Sequence, residues 1–196
     1  MKVQRIVGVT GGIGAGKSVV CRIFHAMGYP VFYSDQVAKE ILNEDKSVRQ
    51  AIINLFGTEA YIDGGYHRQY IAQQVFQDNQ LLSQLNQIVH PAVRNAFAIW
   101  QDQQNAPILL NEAAILFETG MYKNYDAMIL VTAPVDIRIK RVMNRDQVTA
   151  EEVKKRMEKQ WPDEKKQALA DYIIVNDGVE MLIPQVIEVV SKLLKT

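Results

Sequence analysis

A single cysteine, Cys21, stands among the 196 residues. One thiol makes neither an internal disulfide nor a cysteine-based zinc site, which suits a reducing compartment. Excess charge is missing too, since 22 Lys and Arg offset 22 Asp and Glu. Phosphate contacts supply most of a protein's affinity for nucleic acid and call for surplus positive charge, so a nucleic-acid binder is disfavoured. No apolar run approaches the length of a membrane span, and the stretch Ile6–Val9 is too short for a signal-peptide core. The expectation is a cytoplasmic protein with no membrane contact. Repeats and low-complexity tracts are also lacking. What the chain does have is apolar residues, 48% of the total, enough for one compact α/β domain spanning 1–196 with a small insertion.

Short β-rich runs alternate with longer helical patterns, which predicts a parallel sheet with crossover helices. The expected strands are Arg5–Val9, Pro30–Tyr33, Ile108–Asn111, Ala127–Thr132 and Tyr172–Val175. Most lack polar alternation, as strands covered on both faces do. A helix is expected from about Lys17 to Met27, capped by Gly28. Between the second and third strands the pattern is helical, broken by the turn Asp63-Gly64-Gly65. An insertion at about 36–105 is far longer than a normal crossover, and an acceptor-binding subdomain could sit there. In the last helix Leu182/Ile183, Val186/Ile187, Val189/Val190 and Leu193/Leu194 predict core packing, with Pro184 in the first turn.

The strongest motif is Gly11-Gly12-Ile13-Gly14-Ala15-Gly16-Lys17-Ser18, which fits G-x-x-x-x-G-K-S between an apolar strand and a helix. Glycines allow backbone angles that let successive amides converge on an anion, and the helix adds its unpaired N–H groups and positive dipole end. Gly12, Ile13, Gly14, Ala15, Gly16, Lys17, Ser18 and Val19 are therefore the expected ATP contacts. In such loops the Lys reaches the β- and γ-phosphates and the Ser gives its hydroxyl to Mg²⁺.

Neither a D-x-x-G turn nor an N-K-x-D guanine reader follows, so a GTPase switch is disfavoured and a small-molecule kinase fits best. Asp35 comes just after the second strand, and the carboxyl ends of such strands border the ligand crevice. Two roles fit it equally: base for an acceptor hydroxyl, or N-cap of a helix Gln36–Leu42. Glu112 could support the Mg²⁺ shell. Arg138, Arg141 and Arg145 fall on one helical face opposite Ile139, Val142 and Met143. Thr149-x-x-Glu152 reads as a capping box opening a second helix. A basic lid over about 145–168 could close on the triphosphate.

Taken in order, these pieces resemble the dephospho-CoA kinases. The segment from Thr10 to Ser18 is similar to that family's phosphate loop, and Ser34-Asp35-x-x-Ala38-Lys39 to its acidic segment. His90-Pro91-x-x-Arg94 resembles its His-Pro motif, and Ile115-Leu116-Phe117-Glu118 its Leu-Leu-Phe-Glu run. Arg141 to Asp146 with Gln160 resemble its lid, and Ala170-Asp171 with Asn176-Asp177-Gly178 its closing motif.

The resemblance implies a P-loop fold with parallel strand order 2-3-1-4-5 and transfer of ATP's γ-phosphate to the ribose 3′-hydroxyl of dephospho-CoA. It implies Asp35 as base, with Lys39, His90, Arg94 and Glu112 on the acceptor side, Arg141 at the nucleotide phosphates and Asn176 at the adenine. His90-Pro91 by itself reads as a helix start with proline at the first position. Tyr33 stands where a first Asp is common, Glu112 replaces an Asp, Ala114 a Pro and Lys39 an Arg. The alternatives are a P-loop kinase of another metabolite or nucleoside, or a nucleotide-binding regulator. The expected partners are small molecules, with no obligate protein partner evident.

Overall fold

The computed structural model describes residues 4–195. Five parallel strands form the main sheet: β1 (Arg5–Thr10), β2 (Val31–Tyr33), β5 (Ile108–Glu112), β6 (Ala127–Thr132) and β7 (Tyr172–Val175). They lie in the order β2-β5-β1-β6-β7. Counted among themselves along the chain, that is 2-3-1-4-5. β1 pairs with β5 from Arg5 against Ile108 to Val9 against Glu112, and with β6 on its other edge.

The unbroken apolar strands follow from burial on both faces. On one face Val7, Val9, Ile129 and Val131 pack with Val20, Cys21 and Phe24 of α1 (Lys17–Ala26). Val186, Val189, Val190 and Leu193 of α9 (Leu182–Lys195) join the same cluster. On the other face Leu116, Phe117, Met128 and Leu130 form a second cluster with Tyr122, Tyr125 and Trp161 against it. Gly8 lies in that crowded layer; a Cβ there would stand 2.5 Å from Met128 Sδ. Three of the eight residues in the expected α9 stripe are not core: Ile183, Ile187 and Leu194 are each more than half exposed. A helix docked on one sheet face buries a narrower arc than its apolar residues span.

The chain divides into two compact units, one running up to Tyr33 and again from Gln104, the other being Ser34–Gln103. The second has its own core of Val48, Ile52, Phe56, Ala60, Tyr61 and Ile71. It contains α2 (Ser34–Glu44), α3 (Lys46–Phe56), α4 (Arg68–Gln77) and α5 (Asn79–Asp102). The turn at Asp63-Gly64 closes a hairpin of β3 (Tyr61–Ile62) and β4 (Gly65–Tyr66). Both central residues have positive φ, 50° and 83°, the primed turn that matches strand twist.

Two local expectations are corrected. Asp35 does not cap a helix at Gln36, because α2 begins at Ser34, straight after β2, and holds Asp35 inside its first turn. Pro91 does not open a helix either, since α5 runs through it. The start is at Asp78, whose carboxylate accepts from the N–H groups of Gln80 and Leu81. Leu81, Leu85, Ile88 and Ala92 pack on the second core on both sides of the proline, and that packing keeps the helix continuous.

Candidate active site

The Gly-rich loop leaves β1 at Thr10 and enters α1 at Lys17. Gly14 and Gly16 take φ of 79° and 94°, which a side chain would resist. Lys17 Nζ donates to its own loop at Gly11 O, 3.0 Å away, and lies 3.9 Å from Glu112 Oε1. Both side chains are nearly buried. Ser18 is exposed at the second position of α1. Three of the expected amide donors are already engaged: Ala15 N–H donates to Gly12 O, Val19 N–H to Gly16 O, and Ile13 N–H to Gln160 Oε1 at 2.8 Å.

The back of the loop is held by side chains from α6 (Val135–Asp146) and from just beyond β7. Arg138 Nε donates to Ile13 O at 3.0 Å, and Arg141 Nη1 to Gly14 O at 3.4 Å. Asn176 Nδ2 donates to Ala15 O at 2.8 Å, while its Oδ1 accepts from Arg141 Nη2 at 3.3 Å. Both ends of the carboxamide expected at adenine are thus used inside the protein. Arg138, expected on the helical face opposite Ile139, Val142 and Met143, is itself only 4% exposed. Its Nη1 meets Asp163 Oδ2 at 3.0 Å, and the same oxygen accepts from Thr132 Oγ1 at 2.9 Å. Arg145 keeps the exposed position, paired with Asp146 at 2.7 Å.

The expected lid region divides in two. Its first part contains α7 (Ala150–Met157), opened by the Thr149–Glu152 capping box. From Gln160 onward the segment is pinned down, ending in α8 (Asp163–Gln167). Gln160 Nε2 donates to Ala114 O, and Trp161 N–H to Glu118 Oε1 at 3.0 Å. Lys166, fully buried, meets Glu118 at 2.8 Å. A buried ammonium without a partner is strongly destabilising, so Glu118 belongs to the fold's own support. Asp163, Thr132 and Lys166 were not singled out from the sequence. A spacing of three from Gln160 to Asp163 to Lys166 was the available signal.

The remaining expected residues belong to the second unit. Asp35 and Lys39 are one turn apart on α2. His90 and Arg94 are one turn apart on α5, where with Asn79, Ser83, Asn86 and Gln87 they line an open groove. Burial first, and the nearby Arg94 charge second, hold His90 below its ordinary 6.5, favouring the neutral imidazole. Tyr33 pairs in register with Glu112 at the end of the sheet. Its hydroxyl is pushed up by burial, then by Cys21 and Glu112. Among the described residues no group of three or more His, Cys, Asp or Glu could hold a metal ion.

The dephospho-CoA kinase family model matches residues 5–181. A dephospho-CoA kinase of Chlorobaculum tepidum is 41% identical over 198 residues, covering 96% of this chain and 95% of that one. One from Bacteroides fragilis is 36% identical over 186 residues, covering 94% and 91%. Among solved structures, a Thermus thermophilus protein superposes with a TM-score of 0.87 at 32% identity, covering 99% and 98%. A Campylobacter jejuni dephospho-CoA kinase gives 0.68 at 25% identity, covering 98% of both. This chain belongs to the dephospho-CoA kinase family.

Proposed function

We propose that this chain transfers the γ-phosphoryl group of ATP to the ribose 3′-hydroxyl of dephospho-CoA, completing coenzyme A. The observation that carries the proposal is a phosphate loop, backed by three side chains and fronted by Lys17, in a chain that matches the family from 5 to 181. Lys17 exchanges Gly11 O and Glu112 for phosphate oxygens and neutralises charge as the β,γ bridge breaks. The first amides of α1 and its dipole act on the same oxygens. Arg141 can swing from Gly14 O toward the phosphates while Asn176 holds its other nitrogen.

Asp35 is the proposed base. Its carboxylate takes the 3′-hydroxyl proton, the freed oxygen bonds to the γ-phosphorus, and the electron pair of the broken bond leaves on ADP. Lys39, His90 and Arg94 are the acceptor contacts. A cation of magnesium's kind suits the donor set, a Ser18 hydroxyl and the Glu112 carboxylate, because Mg²⁺ rests on few protein groups plus phosphates and water. It would screen the β- and γ-oxygens. The cytoplasm, where ATP is made and spent, is the proposed location.

The test is ADP release by the purified protein with Mg-ATP and a panel of dephospho-CoA, nucleosides and nucleoside monophosphates. Turnover only with dephospho-CoA is expected; turnover with a nucleoside instead would reassign the acceptor, and binding without turnover would make the chain a regulator. With saturating substrates, Asp35→Asn should lose about 10²–10⁴ in kcat. A loss under about tenfold excludes the base role.

A further inference from the structure

We infer that Arg138 is a positioning residue for ATP's phosphates, acting through the Ile13–Gly14 peptide, and that residue 12 must be glycine because the Arg138 guanidinium occupies the space of a side chain there. The inference rests on the chain being an ATP-binding kinase, but it concerns how the loop is built rather than which acceptor is used.

A trans peptide is planar, so the C=O of one residue and the N–H of the next point in opposite directions. Holding Ile13 O from behind therefore aims Gly14 N–H forward. The bond to Ala15 O aims Gly16 N–H in the same way. Ala15 N–H then turns back to Gly12 O at 3.0 Å, which leaves the peptides at Ile13 and Ala15 as the ones whose orientation presents amides to an anion. Of the three side chains behind the loop, Arg141 makes a long bond and shares its other nitrogen with Asn176. Arg138 is different. Nearly buried, it is fixed at its far end by Asp163, which Thr132 holds in turn. Its Nε and Nη1 serve two partners at once, a geometry open to a guanidinium and closed to a single ammonium.

Gly12 supplies a second, independent observation. Its φ is not in the left-handed region, so its backbone would accept alanine. The three atoms nearest to a Cβ built there are Arg138 Nη2, Cζ and Nη1. The glycine is therefore paired with the guanidinium, and no backbone atom stands among those three neighbours.

The experiment is a double-mutant cycle on Gly12→Ala and Arg138→Lys, read by ATP and ADP affinity, by KM for each substrate and by melting curves. Lysine keeps a cation opposite Asp163 but cannot also bond Ile13 O. Each single variant should weaken ATP and ADP binding about tenfold, the scale of one charge-assisted hydrogen bond. KM for the acceptor should stay within twofold. In the double variant the second change should add less than about twofold, because both act through one contact. Wild-type nucleotide affinity in Arg138→Lys, or losses that multiply in the double variant, overturns the inference. A lowered melting temperature with unchanged affinity in the folded protein overturns it as well, by assigning Arg138 to stability alone. Asp163→Asn, which unhooks the guanidinium without emptying the site, should reproduce the nucleotide defect. Should wild type bind ATP and yet not phosphorylate dephospho-CoA, the acceptor assignment fails while this cycle remains readable.

Discussion

His90 shows how far a single side chain can be read. Burial and Arg94 hold its imidazole below the ordinary 6.5 of an unfolded chain. The unfolded state therefore takes up a proton near 6.5 that the folded state resists, so unfolding binds protons in that window and stability falls as pH drops through it. Above it both states are neutral and nothing is lost. Denaturant unfolding of wild type and His90→Gln across pH 5 to 8 checks this: the two curves should run parallel above pH 7, and wild type should fall more steeply below 6.5. Parallel curves throughout would remove the effect. Other residues were less legible. The sequence placed Lys17 at the loop because the motif is local, but it could not tell Arg138 from Arg141 or Arg145. All three look alike on a helical wheel; the buried one, Arg138, is marked by the distant Asp163, whereas exposed Arg145 pairs with its chain neighbour Asp146.

At the scale of elements, the strands were legible because double-sided burial leaves uninterrupted apolar runs, while their order came only with the family resemblance. Helix starts were harder, since a cap is a matter of one or two residues. The capping box at Thr149 has both its members in sequence and was found; Asp78 has none of that pattern and was passed over in favour of Pro91. Pro91 sits mid-helix and exposed, where it cannot donate to Gln87 O. A helix of 24 residues tolerates it because packing outweighs propensity. Pro91→Ala should therefore stabilise the fold by about 1–3 kcal/mol, the range set by restoring one helical bond and removing the ring. Thermal denaturation measures it, and an unchanged or lowered melting temperature would mean that the helix is built around the proline.

For the molecule as a whole, the proposed division of labour follows the division of the chain. The phosphate loop, Glu112, Arg141 and Asn176 belong to the unit that holds the parallel sheet, while Asp35, Lys39, His90 and Arg94 belong to Ser34–Gln103, with its separate core. A ligand that binds only the folded state stabilises it by mass action, about 2.7 kcal/mol at 100 times its Kd. Two ligands held by different units should then be separable by mutation. Lys17→Ala removes the charge proposed to meet the phosphates, so Mg-ATP should lose most of its stabilising shift, whereas dephospho-CoA should keep its own. Arg94→Ala should do the reverse. The measurement is the melting temperature of wild type and both variants against rising concentrations of each ligand. If either variant loses both shifts together while its unliganded melting curve is unchanged, the two sites are not assigned to separate units, and the acceptor must draw on the loop itself.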